Sequence, residues 1–256
     1  MNRKEDFIAV FDSGVGGISV MRHLIKLLPG ENLLYFGDSR NAPYGTRSRE
    51  EVSALTFAAV RQLMDRGLKA LVVACNTATS AAIDQLRSAY PNLIIVGIEP
   101  ALKMAADRFP GGSIGVMATP MTLAEEKFSR LLSRYGGQGF EIYKIPAPGL
   151  VELVEAGQGN SPQAENLLKE ILTPYENRLD ALVLGCTHYP FASAALTRVL
   201  GPRVALLDGG EGTARETLRR LEARDLLQKG SGSIEITNSS QDPALVTLCR
   251  NLLSAK

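Results

Sequence analysis

Short aliphatic runs that stop abruptly at small polar residues alternate along this chain with longer stretches whose apolar residues recur every three or four positions. That alternation predicts strands and helices in turn, and therefore an α/β chain with parallel sheets. The runs at 7–11, 33–36, 71–74, 93–98, 113–118, 182–184 and 204–207, with a further short run at 233–237, read as strands. Because the first seven are nearly continuous in apolar residues rather than apolar at every second position, both their faces should be covered. Helices are expected from the glycine-rich turn after residue 11 to Leu28, from Ser48 to Gly67, after Cys75 to Tyr90, over 123–132, over 150–157, over 167–172, and on both sides of 233–237. Ser48 with Glu51 three residues on is a capping box, and Gly67 is a helix stop.

Glu99-Pro100 opens a stretch that echoes the first. The 7–11 run precedes the run ending at Cys75 by about as many residues as the 113–118 run precedes the one ending at Cys186. Both cysteines follow the pattern aliphatic-aliphatic-small, and both are followed at once by polar residues. The echo suggests two similar parallel-sheet α/β domains, related by a pseudo-twofold and facing each other across a cleft. The ordinary regularity of parallel sheets is the alternative.

Composition narrows the functional classes. With 256 residues and a net charge of +1, the chain can bury a large core and gives no electrostatic case for nucleic acid or an anionic membrane. No apolar run approaches the ~20 residues that span a bilayer, and the first residues lack a signal-peptide core. Three cysteines far apart suit a reduced cytoplasmic protein. With no Cys-x-x-Cys and only two histidines, His23 and His188, no metal site is expected.

Candidate chemistry gathers at the ends of the predicted strands, where open α/β sheets bind ligands. Cys75 and Cys186 each end such a strand, so one crevice would present two thiols, the arrangement that inverts a stereocentre from opposite faces. Lying near helix amino termini, both thiols should ionise more easily than a free thiol, whose pKa is about 8.5. The following turns, with Asn76, Thr77 and Thr187, would hold a carboxylate. Asp12 reads either as a turn-capping carboxylate or as one that steers a thiol or a substrate ammonium. His188, two residues past Cys186, is placed to exchange a proton with it. His23 and Cys249 keep structural readings. Glu152 and Glu155 stand in one apolar stretch, and spacing does not choose between them. Gly14-Val15-Gly16-Gly17 looks like a dinucleotide loop, but Ser19 occupies the last glycine's place.

Four segments in order carry a resemblance: Phe11-Asp12-Ser13-Gly14-Val15-Gly16-Gly17; Tyr35-Phe36-Gly37-Asp38 through Ala42-Pro43-Tyr44-Gly45; Ala74-Cys75-Asn76-Thr77-Ala78-Thr79; and Leu184-Gly185-Cys186-Thr187-His188-Tyr189-Pro190. Together they resemble the aspartate/glutamate racemase family of cofactor-independent amino-acid racemases. The resemblance implies an isomerase that interconverts L- and D-glutamate and supplies D-glutamate for peptidoglycan, hence cell-wall biogenesis and cell shape. It also implies two α/β domains, 1–98 with 209–256 and 99–208. On matching positions it makes Cys75 the base toward D-glutamate and Cys186 the base toward L-glutamate, assisted by Asp12, His188 and Glu155. Substrate contacts would come from Asp12, Ser13, Pro43, Tyr44, Gly45, Asn76, Thr77, Thr119, Thr187 and His188 beside the two thiols. The family often has cysteine where this chain has Ala147, and commonly serine where it has Gly209. Aspartate racemase and related isomerases share the two-cysteine frame, and a non-catalytic amino-acid-binding regulator is the alternative of another class. A homodimer is compatible with the resemblance, and the oligomeric state is left open.

Overall fold

A computed structural model describes residues 3–124, 129, 132–133, 139–240 and 242–255. The first half runs β1 (Phe7–Asp12), α1 (Ile18–Leu27), β2 (Leu33–Gly37), α2 (Arg49–Met64), β3 (Leu68–Val73), α3 (Asn76–Ala89) and β4 (Ile94–Gly97). The second runs α4 (Leu102–Arg108), β5 (Ser113–Ala118), α5 (Pro120–Ala124), β6 (Glu141–Pro146), α6 (Leu150–Glu155), α7 (Pro162–Leu172), β7 (Ala181–Leu184), α8 (Ser193–Leu200) and β8 (Ala205–Asp208). The chain then returns to the first half with α9 (Gly210–Glu222), β9 (Ile234–Asn238) and α10 (Pro243–Ser254).

Two all-parallel sheets result, one ordered β4-β3-β1-β2-β9 and the other β6-β5-β7-β8. Read from its other edge, the second sheet is β8-β7-β5-β6, the order of the first four strands over again. The echo in the sequence is therefore an architectural repeat, in which β3 and β7 correspond. Both sheets are covered on both faces. Ile8 and Val10 of β1 pack with Val20, Met21 and Leu24 of α1, while Ala9 and Phe11 pack on the other side with Val52, Val60 and Leu63 of α2. This is why the runs read as continuously apolar. The Ser48 hydroxyl accepts from the Glu51 N–H and the Glu51 carboxylate accepts from the Ser48 N–H, closing the capping box that starts α2.

Several elements depart from the sequence reading. β3 begins at Leu68 rather than 71, because Lys69 inside it is fully buried in an ion pair with Glu31 and bonds the carbonyl of Leu226 at 3.1 Å. β6 was not anticipated: Glu-Ile-Tyr-Lys-Ile-Pro is a half-exposed edge strand, too polar to read as core. α7 starts at Pro162, five residues before its apolar run, because Ser161 accepts from the Ala164 N–H and caps it. α4 and α8 were also not anticipated. The loop at 39–46 contains two single 3₁₀ turns. Of the helix expected over 123–132, residues 125–128, 130 and 131 lie outside the described residues.

Candidate active site

In each sheet the chain leaves the two central strands in opposite directions, making a switch point between β1 and β3 and another between β5 and β7. Crevices form at the carboxyl ends of such strands. Here both switch points open onto one cleft of about 80 Å³. From the first half, Ser13 follows β1, Cys75, Asn76 and Thr77 follow β3, and Pro43, Tyr44 and Gly45 reach in from the loop after β2. From the second half, Thr119 follows β5, and Cys186, Thr187 and His188 follow β7. Asp12 and Glu155 are not in the wall; they stand behind it, bonded to Thr187 and His188.

The two thiols are set differently. Cys75 is the N-cap of α3: its Sγ accepts from the Ala78 N–H at 3.4 Å and lies 3.5 Å from the Ser13 hydroxyl. The helix end does not make this thiol acidic, contrary to the expectation. Burial and the nearby Asp12 carboxylate push Cys75 up to about 12, outweighing Ser13 and the Ala78 N–H. Cys186 caps no helix, a second correction. A 3₁₀ turn at Tyr189–Ala192 follows it, and α8 begins only at Ser193. Its partner is instead His188, whose Nδ1 lies 3.6 Å from Sγ.

His188 is 2% exposed. Its Nε2 meets Glu155 Oε1 at 2.6 Å, and the same oxygen accepts from the Val15 N–H at 2.8 Å. Burial disfavours the imidazolium, but the hydrogen bonds to Cys186 and Glu155 outweigh it and hold His188 well above its ordinary value. Burial likewise opposes the Glu155 charge, yet His188 and the Val15 N–H keep the carboxyl below its usual range. Glu155, not Glu152, is therefore the carboxylate joined to the histidine. Glu152, one turn earlier on α6, is exposed at the cleft wall.

Asp12 is wholly buried and accepts from the Gly14 N–H at 3.0 Å and the Thr187 hydroxyl at 2.9 Å. Burial raises it from the ordinary aspartate value, against His188, Gly14 and Thr187. The β1 loop must pass very close to the other half: a Cβ on Gly14 would overlap the Glu155 carboxylate, and one on Gly16 would overlap His188 Nδ1.

Opposite, the Thr77, Thr119 and Thr122 hydroxyls form a ring with contacts of 3.0 to 3.2 Å. Tyr44 donates to Asp38 at 2.7 Å, and Asn41 donates to both Asp38 oxygens. Asn76 is 5% exposed, and neither its side-chain oxygen nor its nitrogen has a partner among the described residues. A buried carboxamide with both ends unpaired suits a ligand that offers a donor and an acceptor together, as an amino acid does. Thr122 and Asp38 were not singled out from the sequence. Asp38 stands at the end of the β2 run, but nothing local marks it as the support of Tyr44. Among the described residues, no three of His, Cys, Asp and Glu are grouped to hold a metal ion, and no helix is long and apolar enough to cross a membrane.

The sequence profile of the Asp/Glu/Hydantoin racemase family matches residues 8–217. A protein named glutamate racemase from Clostridium botulinum (strain Alaska E43 / Type E3) is 48% identical over 258 residues, covering 100% of each chain. The crystal structure of glutamate racemase isoform RacE1 from Bacillus anthracis superposes with a TM-score of 0.88 at 31% identity, over 99% of this chain and 96% of that one. The Escherichia coli glutamate racemase, crystallised with L-glutamate and activator UDP-MurNAc-ala, gives 0.86 at 31% identity, over 97% of this chain and 95% of that one. With its paired sheets, its two strand-end thiols and these relatives along its full length, the chain belongs to the Asp/Glu/Hydantoin racemase family.

Proposed function

We propose that the protein is a glutamate racemase that moves the α-proton between its own two thiols. The observation that carries the reading is one cleft lined by Cys75 and Cys186, each at the carboxyl end of the corresponding central strand of its half. One thiolate takes the proton from Cα, and the electron pair left behind spreads into the substrate carboxylate. The opposite thiol then gives its proton to the other face. Asn76, Thr77 and Thr187, with Ser13 and Thr119, supply hydrogen-bond groups for the substrate as that charge grows, and Pro43, Tyr44 and Gly45 complete the wall.

The surroundings suit the L to D direction at rest. An imidazolium 3.6 Å from Cys186 Sγ is a partner for a thiolate that attacks L-glutamate. Cys75, pushed up to about 12, holds a proton ready for the opposite face. Turnover from D-glutamate needs the reverse arrangement, with Asp12 and the substrate ammonium governing Cys75. The α-proton is weakly acidic, and a buried site with aimed donors is what lowers the barrier.

In this reading residues 1–98 with 209–256 form one domain and 99–208 the other. This matches the membership of the two sheets, because β9 adds to the first. D-glutamate supply for peptidoglycan, a cytoplasmic location and a homodimer belong to the same reading. Turnover of L-glutamate, L-aspartate and a 5-substituted hydantoin, each followed by loss of optical rotation, tests it. Glutamate should racemise fastest. Fast aspartate turnover with none for glutamate would move the protein to its sister activity, and glutamate binding without α-proton exchange would make it a regulator.

A further inference from the structure

Tyr35 belongs to β2, a strand that supplies no thiol and no wall of the cleft. Its side chain is completely buried, and its hydroxyl donates to the Gly14 carbonyl at 2.6 Å. Burial and the negative groups around it, Asp12 first, hold the phenol well above its ordinary value, so it stays a donor. The carbonyl it bonds is one end of the planar Gly14–Val15 peptide. The other end of that peptide is the Val15 N–H, which donates to Glu155 Oε1 at 2.8 Å. Glu155 in turn meets His188 at 2.6 Å, and His188 meets Cys186 at 3.6 Å.

A single line of hydrogen bonds thus runs from a tyrosine of the first half, through one amide, to the thiol of the second. The amide has little room to turn. A Cβ on Gly37 would overlap the Gly14 carbonyl oxygen, and one on Gly14 would overlap the Glu155 carboxylate. Donation into a carbonyl also polarises the amide and strengthens its N–H as a donor.

We propose that Tyr35 is a positioning residue for Cys186, acting through the Gly14–Val15 peptide to fix Glu155 and with it the orientation of His188. The inference rests on the racemase reading above, in which Cys186 faces L-glutamate. Among the hydrogen bonds of the described residues, no equivalent relay ends at Cys75. Tyr35 should therefore act more strongly on the Cys186 transfer than on the Cys75 transfer, which it reaches only through the charge of Asp12.

Tyr35→Phe keeps the ring and removes only the hydroxyl. Enantiomers have equal free energy, so kcat/KM must fall by the same factor in both directions, here about five- to tenfold for the loss of one neutral hydrogen bond. Isotope effects separate the two transfers. With the barrier at Cys186 raised, the effect on α-deuterated L-glutamate should increase and that on α-deuterated D-glutamate should decrease. In a Glu155→Ala background, adding Tyr35→Phe should cost nothing more, because the relay is already broken. Isotope effects that stay put, or losses that add in the double variant, would overturn the proposal. Should Tyr35→Phe not fold by circular dichroism, 3-fluorotyrosine at position 35 keeps the shape and alters only the hydroxyl's acidity. It must then shift the ratio of the two isotope effects, and an unchanged ratio overturns the proposal equally. If the unaltered protein does not interconvert glutamate enantiomers, the racemase reading itself has failed instead.

Discussion

The Cys75 and Cys186 edges are the same structural position built twice, and they are provisioned differently. Each thiol follows the strand that neighbours the first strand of its half. Around Cys75 there are a hydroxyl, a helix N–H and a buried carboxylate, and the thiol is driven toward its neutral form. Around Cys186 there is a histidine braced by a glutamate and held in its charged form. In the proposed mechanism, architectural repetition supplies two proton carriers, one at each strand edge. The side chains of the loops give the two thiols different partners, a carboxylate and a hydroxyl near Cys75 and an imidazole beside Cys186. A reaction that is symmetric overall can run on an asymmetric site, because the two directions cross the same two transition states in opposite order.

The most severe way to break the comparison is to delete either carrier. Cys75→Ala and Cys186→Ala should each lower racemisation at least ~10³-fold in both directions while the circular dichroism spectrum is unchanged, since a missing proton donor on one face stops the reaction from either side. Near-normal turnover in either variant would remove that thiol from the mechanism.

Next come the groups that make the edges unequal. His188→Asn and Asp12→Asn should lower kcat by roughly 10²-fold with smaller changes in KM, because both are proposed to act on proton transfer. Steady-state kinetics in both directions checks this, and an unchanged kcat would reduce either residue to a structural one.

A milder effect is expected in the pH dependence of stability. The folded-state value of His188 lies above its unfolded value of about 6.5. Its contribution is therefore complete below about pH 6.5 and is lost as pH rises through the folded value. As pH rises above about 6.5, the melting temperature of the unaltered protein should fall relative to Glu155→Gln, because the substitution removes one of the two groups, after Cys186, that raise His188. Parallel curves would contradict the His188–Glu155 pairing. The smallest effect belongs to Ser13→Ala. It loses only a long thiol–hydroxyl contact and should change kcat/KM about two- to fivefold.

How much of this could be read beforehand follows from how local each signal is. Leu71 to Ala74 and Leu182 to Gly185 announce buried strands because each residue of a two-faced parallel strand meets a core, and the abrupt polar ending marks the edge. Ser48 and Glu51 mark α2 because the capping box closes within four residues. Lys69 hid the start of β3, because its acid partner Glu31 comes from a distant turn. β6 hid because an edge strand has one exposed face, and its Lys144 and Glu141 speak of solvent. Within the site, the two thiols, Asp12 and His188 were visible as strand-end residues. Spacing left Glu155 and Glu152 unresolved, because the choice depends on which face of α6 meets His188; only the family resemblance pointed to Glu155. The acidity of Cys75 was misread for a related reason. Helix position is local, whereas burial and the Asp12 charge come from the assembled halves.

The central claim is that two different groups act on opposite faces, and the fate of the proton tests it most directly. Pure L-glutamate is incubated in deuterated water, and the α-position of both enantiomers is followed by NMR and mass spectrometry at low conversion. The account predicts that the first D-glutamate carries deuterium, delivered from a Cys75 thiol equilibrated with solvent, while the remaining L-glutamate keeps its proton. Early D-glutamate that retains the original proton would mean that one group serves both faces, and would contradict the assignment of Cys75 and Cys186 as a pair.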